Sequence, residues 1–286
     1  MVHKDFEQAS RLARRLLSGD SGIVIHVNSK VKIPGNFLAE LGEGRRSRVF
    51  LTEKRHFSEW GSWEAVLAIL SLLDEGVRRF PAASYFTLLS GQDYPIKNAE
   101  YIDAFFRRND SNFIGHIPLR EEQWKYGGIR RINRFYWARN RKSIPGFFFR
   151  TIPCPPRRFP IPVEKIQVGS VWWTLKRDTI MKILDFVKKN PKILMAFRWT
   201  YVPDEMFLPT LLISFLGESK ISRERIRYFE NFSLPRDYLR LKILNRNGIR
   251  NLGVADFEKL ESSPALFARK FDPTMDSKIL DLLDGL

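Results

Sequence analysis

The opening third of the chain alternates short apolar runs with amphipathic helical stretches, and this alternation constrains the fold more than any other feature. Phe6, Ala9, Leu12, Ala13, Leu16 and Leu17 recur at helical spacing, and Gly19 ends the pattern. Gly22-Ile23-Val24-Ile25-His26-Val27-Asn28 follows as a near-continuous apolar run, the pattern of a strand covered on both faces. A shorter run, Arg48–Leu51, precedes a second helix over Trp63–Phe80, with Ala65, Val66, Ile69, Leu72 and Leu73 on one side. Ser84–Leu89 reads as the next strand. Ser90–Pro95 reads as a loop, because Gly91 and Pro95 interrupt the pattern. The order strand, helix, strand, helix, strand predicts an α/β fold: a mostly parallel central sheet, flanked by helices and joined by right-handed crossovers. Ligands on such sheets bind at the carboxyl ends of the strands, which assigns His26-Val27-Asn28 and the Ser90–Pro95 loop to a site.

Further along, Gln167–Leu175 reads as a strand and Asp178–Lys189 as a helix. Pro203-Asp204-Glu205 opens another helix through about Phe215, and Asp256–Leu260 and Asp276–Leu283 are helical. The first helix starts almost at Met1, where a sheet of this kind begins with a strand. That strand is expected to be a stub or to lie upstream. No composition break divides the 286 residues, so one domain, 1–286, is expected. Within it, 118–165 stands out as a basic, aromatic, loop-rich insertion.

Charge narrows the partners. The net charge is +16, and residues 119–158 alone hold eleven basic side chains against Glu121 and Glu122. Anionic partners follow: phosphate-bearing donors, acidic glycans, anionic lipid or nucleic acid. No helix-turn-helix, zinc, RRM or KH pattern supports nucleic acid. Cys154 is a lone cysteine, which excludes an internal disulfide and a multi-cysteine zinc site; a buried or idle thiol is expected. No apolar run reaches the ~18 residues of a membrane span, and the first residues are too charged for a signal peptide. The expected location is therefore cytoplasmic, with peripheral contact to the inner membrane face through the basic segment.

Seven segments in order carry a resemblance: His3-Lys4, Ile25-His26-Val27-Asn28, Trp60-Gly61-Ser62, Leu89–Lys97, Gly169-Ser170-Val171-Trp172-Trp173, Pro203-Asp204-Glu205 and Leu266–Asp272. Together they resemble the core-2/I-branching β-1,6-N-acetylglucosaminyltransferase family, which also includes peptide O-xylosyltransferases. The resemblance implies a GT-A-like nucleotide-sugar fold and inverting, metal-independent transfer from a UDP-sugar to a glycan or lipid-linked saccharide acceptor. N-acetylglucosamine is the expected sugar, with UDP-xylose as the alternative donor. No cofactor beyond the co-substrate is expected. A non-catalytic nucleic-acid- or membrane-binding module is the rival class, and it leaves the ordered segments unexplained.

The resemblance also implies roles, each beside a plainer one. Glu205 is the candidate general base, although Pro-Asp-Glu is also an ordinary helix start. Lys270 and Arg250, with Arg246 as a substitute for the latter, would neutralise the leaving diphosphate; Lys270 could equally be a solvated lysine beside Asp272. Gln92-Asp93-Tyr94 stands where a metal-dependent relative carries Asp-x-Asp, one carboxylate without its partner, and Asp93 could simply cap a turn. His3, Asn28, Trp60, Ser62, Gln92, Asp93 and Asp204 are the donor-side candidates. At Trp60 and Ser62 a structural role at a helix start is an equal option. Asn28 replaces an expected acid. Trp172, Trp173 and Arg131 are the acceptor-side candidates, with core packing the alternative for one tryptophan. His26 is expected to be a core histidine.

Overall fold

A computed structural model describes residues 1–58, 61–119, 128–136, 157–217, 220–222, 226–229 and 249–286. Trp60, Arg246, Cys154 and most of the basic segment 119–158 lie outside the described residues. The chain is a mixed α/β protein in two compact units: Met1–Glu53 with Thr87–Phe113 and Ser222–Leu286, and Lys54–Phe86 with Ile114–Ile221.

In the first unit the helix Phe6–Leu16 forms as its spacing predicts, with Asp5 accepting from the Gln8 amide at its start. Ala9, Ala13 and Leu17, four residues apart, face a cluster containing Val2, Ile25, Val27, Leu38, Leu41 and Val49. Leu12 and Leu16 face a second cluster built around Tyr94, Ile96, Leu252, Leu260, Phe271 and Leu280. One helix thus serves two cores. Strand Ile23–Ile25 pairs in parallel with Val49–Leu51, as expected. Val2 bridges Val27 in parallel, its amide donating to His26 O at 2.8 Å and its carbonyl accepting from Asn28 N at 2.9 Å.

The expected loop Ser90–Pro95 instead holds a strand, Asp93–Pro95, antiparallel to Phe267–Arg269, which in turn pairs in parallel with Arg227–Phe229. Pro95 is tolerated because its strand lies at the edge of this three-stranded sheet, where a missing amide costs no ladder bond. In place of one mostly parallel central sheet the chain builds small sheets of mixed sense, none above four strands among the described residues. Local pattern could not show this. The decisive partner of residue 94 is residue 268.

The second unit is organised by the helix Trp63–Arg79, against which Arg177–Lys189 packs. The Arg177 guanidinium donates to Val77 O and Phe80 O at the carboxyl end of the first helix, where a cation suits the exposed carbonyls. The strand expected over Gln167–Leu175 is two strands, Gln167–Gly169 and Thr174–Lys176. The first pairs antiparallel with His116–Pro118 so closely that a Cβ on Gly169 would lie 1.7 Å from Gly115 O. The single helix expected from Pro203 to Phe215 is a 3₁₀ turn Pro203–Glu205, an α-turn Phe207–Thr210 and a π-turn Leu211–Phe215. Pro209 explains the break, since its ring opposes the carbonyl four residues back, that of Glu205.

Candidate functional site

In the first unit the three-stranded sheet carries a buried ionic cluster. Asp93 has 0% of its surface exposed. One carboxylate oxygen accepts from Ser90 N and Ser90 Oγ, each at 2.6 Å, and from Arg269 Nη1 at 3.1 Å. Arg227 Nε lies 3.1 Å from the other oxygen, an ion pair not aligned for a hydrogen bond. Arg227 also donates to Leu88 O at 2.8 Å. Burial pushes the Arg227 guanidinium down to about 10, while Asp93 acts in the opposite direction. Two cations against one anion leave this cluster net positive. The sequence reading missed Arg227 and Arg269, although the run Ile226–Phe229 and the residue beside Lys270 were available as signals.

More positive charge lies next to it. Lys270 follows Arg269 directly, and burial, then Arg269, then Lys4 hold its ammonium below the usual lysine range, with Asp272 opposing. The Lys270 ammonium makes no hydrogen bond or ion pair with a described residue. His3 is held below the usual histidine range by burial, then Lys4 and Lys270. Lys4 itself pairs with Asp272 at 2.9 Å. Leu252 N donates to Lys270 O at 2.8 Å, which brings the segment of Arg250 alongside; Arg250 binds Asp256 Oδ1 at 2.6 Å. Gln92 is buried, its side chain directed to Phe271 O at 3.5 Å. Asn28 is buried at the end of its strand and accepts from Lys30 N at 3.1 Å, an Asx turn. His26 is fully buried.

Asp93, expected on the donor side, lies inside this cluster. Its carboxylate has no exposed surface and is matched by two guanidiniums from the other two strands of the sheet.

In the second unit Glu205 sits in the 3₁₀ turn after Pro203, with Asp204 buried beside it. Its side chain is 7% exposed, and the carboxylate lies 3.4 Å from Arg131 Nη2. Arg131, expected on the acceptor side, is 1% exposed and faces inward beneath this turn. Ser62 is buried and caps the helix Trp63–Arg79, accepting from Ala65 N at 3.2 Å. Trp173 is buried and Trp172 half-buried, so one ring is inward and one partly outward, although both lie between strands rather than alternating on one. Among the described residues no helix is long and apolar enough to cross a membrane, and no group of three or more His, Cys, Asp or Glu could hold a metal ion.

Residues 1–238 match the family model of the Core-2/I-Branching enzyme. The chain belongs to the Core-2/I-branching enzyme family. Its curated relatives include the human beta-1,3-galactosyl-O-glycosyl-glycoprotein beta-1,6-N-acetylglucosaminyltransferase 3, 23% identical over 99% of this chain and 66% of that protein. The Ovis aries enzyme of the same name is 24% identical, over 99% of this chain and 65% of its own length. A beta-1,3-galactosyl-O-glycosyl-glycoprotein beta-1,6-N-acetylglucosaminyltransferase of Bovine herpesvirus 4 (strain LVR140) is likewise 24% identical, with the same coverage. This family member thus spans about two thirds of the length of the curated relatives it matches.

Proposed function

We propose that this family member is a glycosyltransferase of GT-A-like type. It moves N-acetylglucosamine from a UDP donor to an acceptor hydroxyl with inversion and without a metal ion. The observation that carries the reading is the gathering of Lys270, His3, Lys4 and Arg269, with Lys270 unpaired among the described residues. Burial and neighbouring cations hold His3 and Lys270 below their usual ranges, an arrangement that a diphosphate would relieve. Fixed cations of this kind stabilise the charge that grows on UDP as the bond from the anomeric carbon to its phosphate oxygen breaks. The relatives' names support the sugar and a galactosyl-bearing O-glycan as the acceptor class.

Glu205 is the proposed base. The acceptor oxygen attacks the anomeric carbon, its proton passes to the Glu205 carboxylate, and UDP leaves from the opposite face in one displacement. The place of Glu205 in the Pro203-Asp204-Glu205 segment supports this role, and the pairing of Asp93 with two arginines supports the metal-free reading. Among the acceptor-side candidates Trp172, Trp173 and Arg131, the half-buried ring of Trp172 suits stacking on a sugar.

The test is UDP release from UDP-N-acetylglucosamine and UDP-xylose, with and without a β-1,3-galactosyl O-glycan acceptor, in EDTA. Release from the first donor is expected. Activity that appears only after Mn²⁺ is added back would refute the metal-free mechanism, and preference for UDP-xylose would reassign the donor. Glu205→Gln should keep UDP affinity and lower turnover by about 10²–10⁴-fold, the scale of a general base. Turnover close to wild type would remove Glu205 from the mechanism.

A further inference from the structure

We infer that Arg131 is a positioning residue: its guanidinium, working against Gly61, locks the Tyr201–Glu205 turn and so aims the Glu205 carboxylate. The inference rests on the reading of Glu205 as the base.

Arg131 is among the most deeply buried large side chains of the chain, at 1% exposure. Nε donates to Tyr201 O at 3.0 Å and Nη2 to Val202 O at 2.9 Å, and Nη2 also lies 3.4 Å from Glu205 Oε2. Its guanidinium carbon is 5.8 Å from the centroid of the Tyr201 ring, and Tyr201 N donates back to Arg131 O at 3.0 Å. One side chain thus engages three of the five residues from 201 to 205. Packing alone does not call for this, because apolar residues of similar volume replace buried ion pairs at little or no cost to stability. An ammonium would supply the charge without the planar fork that reaches two carbonyls and a carboxylate together.

The turn that Arg131 holds is strained. Val202 adopts φ 54° and ψ 61°, the left-handed region, where a β-branched residue is a rare outlier. Such a conformation persists only where its surroundings over-determine it. Arg131 grips the Val202 carbonyl from one side. On the other stands Gly61, itself at φ 71°, where an added Cβ would lie 3.0 Å from Val202 Cγ2. The Val202 carbonyl also accepts from Glu205 N at 3.3 Å, so the strained residue sets the direction of the 3₁₀ turn that carries the carboxylate. This accounts for a glycine in the Trp60-Gly61-Ser62 segment, which the cap at Ser62 leaves unexplained.

The experiment is a double-mutant cycle on the full chain with Arg131→Lys, Glu205→Gln and the pair, using UDP-N-acetylglucosamine and the O-glycan acceptor. UDP affinity and thermal stability are measured alongside. Arg131→Lys should lower kcat about 10–100-fold, as expected for a misplaced reacting group, with donor KM and UDP affinity little changed. The double variant should be no slower than Glu205→Gln alone, since both changes act through one carboxylate. Gly61→Ala presses on the same turn without removing a buried charge and should show the same signature; it carries the cycle if Arg131→Lys does not fold. Wild-type kcat in Arg131→Lys and Gly61→Ala overturns the inference, as do costs that multiply in the double variant. Full turnover in Glu205→Gln would be a separate failure, that of the base itself.

Discussion

Replacing Asp93 by asparagine separates a structural carboxylate from a ligand-binding one. The amide keeps the shape and an oxygen for the Ser90 hydrogen bonds at 2.6 Å, but it removes the charge that faces Arg227 and Arg269, each 3.1 Å away. Both arginines are nearly sheltered from water, so their charges would be left buried without an anion. Removing one partner of a buried ion pair costs about 3–5 kcal/mol. At about 2–4 °C per kcal/mol for a domain of this size, the midpoint of thermal unfolding should fall by about 6–20 °C. The deficit should also depend on pH. Arg227 is already down to about 10 in the wild type, and losing Asp93 removes the charge that raises it. The unfolded chain then binds more protons than the folded one, so the stability of the variant rises with pH and the deficit narrows as the pH approaches 10. Thermal and urea unfolding, followed at several pH values, measure this. An Asp93→Asn variant with wild-type stability that has lost UDP binding would refute the argument and return Asp93 to the donor site.

Three further outcomes are expected. Lys270→Ala should weaken UDP binding in calorimetry. Wild-type affinity should fall with rising pH earlier than a free lysine would dictate, because the unliganded ammonium is held below its usual range by burial, Arg269 and Lys4 and binds the diphosphate only when protonated. A flat affinity across the alkaline range would exclude it as the ligand. Asp272 is held down to about 2, chiefly by the Thr274 hydroxyl and by Lys4, so its contribution to stability is complete above the usual aspartate range and lost as the pH falls toward 2; Thr274→Ala should move that loss to higher pH in an acid titration of unfolding. Ser62→Ala should cost about 0.5–2 kcal/mol of stability, the value of a helix cap, and leave UDP affinity intact; lost affinity at full stability would make Ser62 a donor contact.

What was legible in the sequence was local or depended on order along the chain. The helix Phe6–Leu16, the parallel pair Ile23–Ile25 with Val49–Leu51, the helices Trp63–Arg79 and Arg177–Lys189 and the helical tail all follow from apolar spacing and caps within a few residues. The ordered segments from His3 to Asp272 pointed to the family that the match over 1–238 identifies. Pro209 was also legible in principle: its ring forbids one helix from Pro203 to Phe215, a rule of the backbone that needs no neighbour.

Tertiary structure decided what depends on partners far apart in sequence. Whether Ser90–Pro95 is loop or strand was settled by its pairing with Phe267–Arg269, a choice that propensity at Gly91 and Pro95 argued against. Asp93 meets two arginines more than a hundred residues away, and Arg131 meets carbonyls seventy residues on. A charged residue reads the same in sequence whether it meets water, a ligand or another buried charge. Only the fold fixes its desolvation and its counter-charge, and those two quantities separate Lys270, left unpaired among the described residues, from Asp93, Arg227 and Arg131, which are bound inside the protein.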